Sequence, residues 1–410
     1  MRALNAAKVL ILGAPGDQEG AGVNAPCRQE RDSVNEGLLS FSLTHKTAGP
    51  QLRSRLFLDE PARAHILDDL ARHSSERMIL STCERLEMYA VNASPDSCAA
   101  SIAQGLKASP EEVISRMAMR TGETAAEHLL RVAAGLDSRI LGEPQILCQV
   151  RRAFLEADAS RALGPVLNAL GRAAVHGGRR VRRETSLNDT TRSIASLAVE
   201  HAVSQIGSWT NRSVTILGSG QLAGDIAQVL SNVPRISLQV LARHPARALS
   251  VARRAGGCAG PIEDVGNALS QSDVLFACAA TPNYLVNVQT IAPLDGRPRV
   301  FVDLAVPRSI DPAVTSVPGI SLVHLDELLE APGPESTKDR APVPPMGWAE
   351  SLAIVAAEMA RYSDWLRGRS AAPKIAELVR GAPRAPAADA REAKRRLHRD
   401  ILALKSAVAA

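Results

Sequence analysis

Two hydrophobic periods alternate along the chain. Leu38-Leu39-Ser40-Phe41-Ser42-Leu43 reads as a strand, followed by a polar turn from Thr44 to Pro50 and a helix through Ile66, Leu67 and Leu70. The apolar run Met78-Ile79-Leu80 predicts a buried strand, and Leu86 to Val91 returns to a period of two, so Ser81 to Arg85 forms a polar connection between strands. Helical spacing follows at Ala126, Leu129, Leu130 and Ala133, which leaves His128 off the main apolar stripe. Pro144, just after Gly142-Glu143, suits the first position of a helix whose buried face is Ile146, Leu147, Val150, Phe154 and Leu155. Gln145, Gln149 and Arg152 share its opposite face, as a ligand surface or as a solvated one.

From Ser213 the pattern changes to buried strands alternating with helices. The β-branched run Ser213-Val214-Thr215-Ile216-Leu217 leads into Gly218-Ser219-Gly220-Gln221-Leu222-Ala223-Gly224 and then an apolar helix from Ile226 to Leu230. Further strands are expected at Ile236 to Leu241, Asp273 to Ala279 and Arg299 to Leu304, a parallel, doubly wound sheet. Five prolines between Ala331 and Gly347 exclude a single helix there. Trp348 opens a helix whose seam is Leu352, Val355, Met359, Tyr362 and Leu366, and the basic, alanine-rich tail from Pro373 to Ala410 is a further helix candidate.

These patterns divide the chain into a loosely ordered extension at 1–37, an α+β domain at 38–190, an α/β domain of the Rossmann type at 191–330, a proline-rich linker at 331–347, and a long helix with a shortened helical carboxyl-terminal region at 348–410. With 410 residues, 45% of them apolar, the chain can bury cores of this size. The net charge of +5 says little by itself, whereas Arg172, Arg179, Arg180, Arg182 and Arg183 lie within one acid-free segment dense enough to meet several phosphates, or simply to form a solvated basic helix. Aromatic residues are only 3% of the chain, so any nucleic acid would be read mainly through shape and backbone. The six cysteines, at 27, 83, 98, 148, 258 and 278, are too sparse for a disulfide framework or a zinc motif, which fits a reducing cytoplasm. No apolar run is long enough to span a membrane.

Two stretches carry chemistry. Cys83 sits at a strand end with Arg85 two residues on; a cation there raises the thiolate fraction, making Cys83 a candidate nucleophile as well as a candidate half-buried structural thiol. In the second, Gly218 permits the tight turn, Gly220 lets a pyrophosphate approach the backbone, and Ala223 keeps helix and strand close, while the helix N-terminus offers amides to the anion. Arg243 stands where an NAD-binding domain places an acid for the ribose hydroxyls, which favours NADPH over NADH.

In combination these stretches resemble the glutamyl-tRNA reductase family from about Leu38 to about Leu378. The resemblance rests on Thr44-His45-Lys46-Thr47-Ala48, on Leu80-Ser81-Thr82-Cys83 with Arg85, on His128-Leu129-Leu130-Arg131-Val132-Ala133 through Gly135-Leu136-Asp137-Ser138 and Leu141-Gly142-Glu143-Pro144-Gln145-Ile146-Leu147 to Gln149-Val150, on Arg180-Val181-Arg182, and on Asp303-Leu304-Ala305-Val306-Pro307-Arg308. It implies reduction of glutamyl-tRNA(Glu) to glutamate 1-semialdehyde, the entry to tetrapyrrole synthesis, with NADPH and without a required metal. Cys83 would be the nucleophile and His128 a residue important for activity. Thr82, Glu84, Arg85, Ser138, Glu143, Pro144, Gln145 and Gln149 would line the glutamyl site, and Gly218, Ser219, Gly220, Gln221, Leu222 and Ala223 would hold NADPH. Arg85 would pair with the substrate carboxylate. The resemblance also implies a homodimer, weakened here by a carboxyl-terminal region shorter than the family's, and an aminomutase partner for the next step. Two positions depart from the family next to the chemistry: Glu84 replaces an asparagine and Leu86 a threonine. The Glu84 carboxylate would oppose Arg85 by disfavouring the Cys83 thiolate. A paralogue of weakened activity that binds NADPH or tRNA is the alternative, and a dehydrogenase of a small acid would leave the Cys83 and His128 stretches unexplained.

Overall fold

The computed structural model describes residues 10–11, 37–48, 52, 55–82, 84–187, 193–281, 283–291, 296–330, 346–381, 394–401 and 403. Its contacts separate two compact units, one built mainly from the residues up to 187 together with those from 346 onward, the other from 193–330.

In the first unit, β1 (Leu10–Ile11), β2 (Leu38–Thr44), β3 (Glu76–Ser81), β4 (Arg85–Val91) and β5 (Ala118–Thr121) form one sheet in the order β1-β5-β2-β4-β3. All pairs are antiparallel except β1 with β5. Within the stretch expected to be an extension, Leu10–Ile11 thus runs as a short edge strand; the rest of 1–36 lies outside the described residues. The register sets Leu43 opposite Leu86 and Phe41 opposite Met88, while Thr44, Ser42 and Ser40 stand opposite Arg85, Glu87 and Tyr89. One face of the β2–β4 pair is therefore apolar and the other polar, and both are buried. Burying each Leu or Phe of the apolar face is worth roughly 1.5–3 kcal/mol. A polar face under cover has to satisfy itself, and this constraint builds the site described below.

Helices α1 (Glu60–Leu70), α2 (Pro95–Leu106), α3 (Pro110–Arg116), α4 (Gly122–Ala134), α5 (Pro144–Ala159) and α6 (Pro165–Glu184) complete this part of the unit. Proline opens both α5 and α6, where its missing amide costs nothing. In α5 the predicted apolar face is buried at Ile146, Leu147 and Val150, but Leu155 is half exposed, because the helix end runs past the core.

The second unit is an all-parallel sheet of β6 (Ser213–Leu217), β7 (Ser237–Ala242), β8 (Cys258–Pro261), β9 (Val274–Ala277), β10 (Arg299–Asp303) and β11 (Ile320–His324), ordered β11-β10-β9-β6-β7-β8. Helices α7 (Ile194–Ile206), α8 (Gln221–Leu230), α9 (Pro245–Ala252), α10 (Val265–Gln271), α11 (Val288–Ile291) and α12 (Leu325–Glu330) accompany it. Successive strand residues feed two separate cores: Val274 and Phe276 join one, Leu275 and Ala277 the other. This is the doubly wound arrangement, and its strand order reverses between β6 and β9, where such sheets bind nucleotides.

Helix α13 (Trp348–Gly381) belongs to the first unit. The seam that the sequence left without a partner lies on the first unit's core through Val355, Tyr362 and Leu366, with Leu352 and Met359 packed beside them. The helix continues through Pro373 to Gly381, and a further helical segment spans 394–401. Among the described residues no helix is long and apolar enough to cross a membrane.

Candidate functional site

The polar face of β4 is the centre of the first unit's site. Because strand side chains alternate, Arg85, Glu87 and Tyr89 stand in a row. The Tyr89 hydroxyl donates to Glu87 Oε2 at 2.6 Å and an Arg85 guanidinium N–H donates to Oε1 at 2.7 Å. His128 Nε2, on α4, lies 3.2 Å from the same Oε1. Glu87 is fully buried, which pushes its carboxyl up, yet the charges of His128 and Arg85 and the bonds from His128 and Tyr89 hold it well below the usual carboxylate range. Burial and the Glu87 charge push Tyr89 up in turn. His128, expected off the main apolar stripe, is buried: Glu87 and Asp137 face its two ring nitrogens, while Thr124 and Glu127 take the solvent side of α4.

A second acid comes from the turn after α4. Gly135 ends that helix at φ +80° and its carbonyl accepts the Gly142 amide, so the chain doubles back over 135–142. A Cβ on Gly135 would come within 2.9 Å of Gly142 Cα, so only glycine closes this loop. Arg182, reaching from α6, donates to the Ala133 and Glu143 carbonyls and pins both ends. The loop delivers Asp137, whose carbonyl accepts from Arg85 and whose carboxylate lies 3.7 Å from Arg85, 3.8 Å from His128 Nδ1 and 3.2 Å from Lys46 Nζ. Arg85 is thus spent on Glu87 and Asp137 and is 2% exposed. A buried guanidinium needs a nearby acid whether or not substrate is bound, and Glu87 and Asp137 supply it.

The connection between β3 and β4 is tied locally. Thr82 N–H donates to the Arg85 carbonyl at 2.8 Å, and the Thr82 hydroxyl oxygen accepts from the Glu84 and Arg85 amides at 3.2 and 3.1 Å. Cys83 itself lies outside the described residues. The Glu84 carboxylate is directed to Arg139, 3.8 Å away, and to His45 Nδ1 at 3.7 Å. Burial, then the charge of Arg139, lowers His45 to about 4, so His45 is neutral at pH 7 and Arg139 is the charged partner. Glu84 therefore has a compensating cation of its own, which weakens the opposition to a Cys83 thiolate expected from sequence. Ser138 is buried nearby, and burial raises the Glu143 carboxyl against the charge of Arg85. Pro144 is exposed at the start of α5, with Gln145 and Gln149 half-buried and Arg152 exposed.

In the second unit the glycine turn follows β6. Gly218 has φ +114°, and a Cβ there would meet the backbone of Cys278 and Ala279, at the end of β9, at 3.1 Å. Gly220 caps α8, and a Cβ there would meet nothing within 4 Å, so the backbone is open to a ligand. Ala223 is fully buried, while Ser219 and Leu222 are half-buried and Gln221 is exposed. Arg243 follows the last residue of β7 and is exposed. These positions fit a dinucleotide: room for the pyrophosphate at Gly220, amides at the helix start and a cation beyond β7.

Asp303 ends β10 and organises the neighbouring loop: its carboxylate accepts from the amides of Ala305, Ser309 and Ile310 at 3.1, 3.0 and 2.9 Å. Burial outweighs those bonds and raises Asp303 to about 6. Between pH ~4 and 6 the unfolded chain has released this proton and the folded one has not, so stability falls as pH rises through that window, by at most about 3 kcal/mol. Asp303→Asn keeps an oxygen acceptor and should flatten that part of a pH–denaturation profile of the second unit; an unchanged profile would assign the slope elsewhere.

Comparison with known proteins agrees with both halves. Residues 41–185 match the glutamyl-tRNA(Glu) reductase N-terminal domain, and residues 200–331 match shikimate/quinate 5-dehydrogenase. The chain is 36% identical over 290 residues to the glutamyl-tRNA reductase of Deinococcus radiodurans, covering 70% of this chain and 82% of that one. It is 34% identical over 352 residues to that of Syntrophotalea carbinolica, covering 83% and 78%. The chain belongs to the glutamyl-tRNA reductase family. Among solved structures, the family's enzyme from Methanopyrus kandleri aligns over 91% of this chain and 94% of its own at 26% identity, with a TM-score of 0.43. The second unit is a nucleotide-binding domain of the type found in nicotinamide-dependent dehydrogenases.

Sequence reasoning missed Glu87, Tyr89, Asp137 and Arg139 in the first unit and Asp303 in the second as organising residues. Glu87 and Tyr89 were open to detection, since a period of two from Arg85 lands on both. Asp137 and Arg139 depend on the doubling back of 135–142, which spacing does not reveal.

Proposed function

We propose that the protein reduces glutamyl-tRNA(Glu) to glutamate 1-semialdehyde, the first step towards 5-aminolevulinate and tetrapyrroles, using NADPH and a thioester on Cys83. The observation that carries this reading is the buried set of Arg85, Glu87 and His128, with half-buried Asp137 beside it, anchored at the end of the Thr82–Arg85 connection, in a chain that also holds an open glycine turn for a dinucleotide. The Cys83 thiolate attacks the ester carbonyl; the ribose oxygen leaves with the electron pair, takes up a proton and departs as free tRNA, leaving the glutamyl thioester. NADPH, when bound, supplies the hydride that turns the thioester into the aldehyde and frees the thiolate. Glu87 holds the Arg85 and His128 side chains in fixed positions, and Asp137 holds both from the other side, so the cationic edge of the site keeps its geometry without substrate.

Mixing the protein with glutamyl-tRNA labelled in the glutamyl group and withholding NADPH tests the covalent step. Label on the Cys83 peptide, released by hydroxylamine, is expected; label that stays on tRNA would remove the thioester.

Arg243→Ala should weaken NADPH about 10- to 150-fold, the worth of one charge-assisted phosphate contact, and change NADH affinity less than about threefold. Titration with both cofactors checks this, and equal losses would deny Arg243 the 2′-phosphate.

A further inference from the structure

The five arginines of α6 do not act alike. Arg182 points inward to the Ala133 and Glu143 carbonyls, Arg180 pairs with Glu184 and Glu358, and Arg183 pairs with Glu184. Arg172 and Arg179 are exposed and have no acidic partner among the described residues. Together with Asn168, His176 and Arg183 they recur at spacings of three and four, one face of the helix. From Arg172 to Arg183 this stripe runs about 16 Å at 1.5 Å per residue.

Helix α13 brings a second stripe to the same side. Arg361, Trp365 and Arg369 follow one another at spacings of four; Arg361 and His176 both bind Glu358, at 2.8 and 3.1 Å. Trp365 and Arg172 line one open groove of about 520 Å³ together with Gly164, Pro165 and Asn168. Trp365 leaves 38% of its surface exposed although Tyr362 stacks on it at 6.2 Å and Arg369 lies 6.0 Å over its ring. The amides at the start of α6 are already taken, since Glu76 accepts from Val166 and Leu167 at 3.1 and 2.6 Å. An anion on this face is therefore met by arginines along the flank and not by the helix end. Glu358 and Glu184, the acids on the same face, are neutralised by the arginines bound to them.

An exposed indole, a side-chain amide and Arg172 in one groove, with Arg179 further along the same helix face, match the three parts of an unpaired nucleotide and the phosphate that adjoins it: base plane, base edge and phosphates. An acidic peptide would use the arginines and leave the indole unused. We propose that this α6–α13 face is an RNA-docking surface, with an unpaired nucleotide of the tRNA stacked against Trp365, its edge at Asn168, and adjoining phosphates on Arg172 and Arg179. The inference rests on the tRNA-borne substrate proposed above and adds where that RNA is gripped, apart from the Arg85–Glu87–His128 cluster.

The test measures binding of uncharged tRNA(Glu) over a salt series for the wild type, Trp365→Ala, Trp365→Phe and the double variant Arg172→Ala/Arg179→Ala, with NADPH affinity and circular dichroism as controls of folding. The double variant should lower the slope of log K against log salt by about 1.4 to 1.8, from ~0.7 to 0.9 per phosphate. Trp365→Ala should weaken binding about 5- to 150-fold with the slope unchanged, and Trp365→Phe should restore most of it. Wild-type affinity and slope in both variants would overturn the proposal, as would displacement of tRNA by polyglutamate as readily as by a single-stranded oligonucleotide of equal charge. A change of oligomeric state in Trp365→Ala with unaltered tRNA affinity would assign the face to a second copy of the chain instead. Absence of tRNA binding by the wild type would overturn the proposed substrate and this surface together.

Discussion

Cys83→Ser is expected to reduce turnover with glutamyl-tRNA by about 10³-fold or more and to leave NADPH affinity within twofold. A serine hydroxyl at neutral pH is almost entirely protonated and is a far weaker nucleophile than a thiol, a few per cent of which is thiolate at that pH. The dinucleotide turn lies at Gly218–Ala223, in the other compact unit, so the two losses should separate. Turnover near the wild-type level, or cofactor affinity lost along with turnover, would contradict the assignment. The labelled thioester should disappear in the same variant.

Glu87→Gln is expected to destabilise the first unit by about 3–5 kcal/mol, the cost of leaving buried charges without their counter-ion. Arg85 and His128 would both lose the negative charge of the carboxylate that lies 2.7 and 3.2 Å from them, and the neutral amide offers one acceptor oxygen where Glu87 offers two to Arg85, His128 and Tyr89. At roughly 2–4 °C per kcal/mol for a unit of this size, the midpoint should drop by about 6 to 20 °C. The pH dependence has a definite sign. Glu87 is held below the usual carboxylate range, so its contribution is present above the unfolded value of about 4.3 and is lost as pH falls towards the folded one. The wild type should therefore lose stability on acidification more steeply than the variant. Thermal melts of both proteins from pH 3 to 7 measure this; melts that superimpose at pH 7 would show that the cluster is not under electrostatic load.

How far the sequence carries depends on whether a feature is local. The β6–α8 turn was legible because a β-branched run, three small residues and an apolar helix occupy consecutive positions, and each has a local steric reason. The β3–β4 pair was legible for the same reason, through its change of period. The burial of His128 was not: Ala125, Leu129, Val132 and Ala133 form the apolar stripe of α4 and Thr124 and Glu127 its exposed side, and only acids on β4 and in the loop 135–142 cover the position between them. Arg85 was expected in the connection between two strands and is the first residue of β4, while its partners lie partly on β4 and partly in the loop 135–142, 52 residues away in sequence. Charge density misled in the same way on α6, where the run of arginines reads as one patch until geometry turns Arg182 inward and gives Arg180 to two acids. Trp365 carried no signal in a chain so poor in aromatic residues; only the packing of α13 on α6 brings it beside Arg172.

The most direct test of the central claim mixes purified protein with glutamyl-tRNA(Glu) and NADPH and measures glutamate 1-semialdehyde by derivatisation and mass spectrometry. The account predicts semialdehyde in amounts equal to the NADPH oxidised and the tRNA discharged. NADPH and tRNA that both bind, with no semialdehyde formed and no label on Cys83, would contradict it and leave a binding protein of the same family.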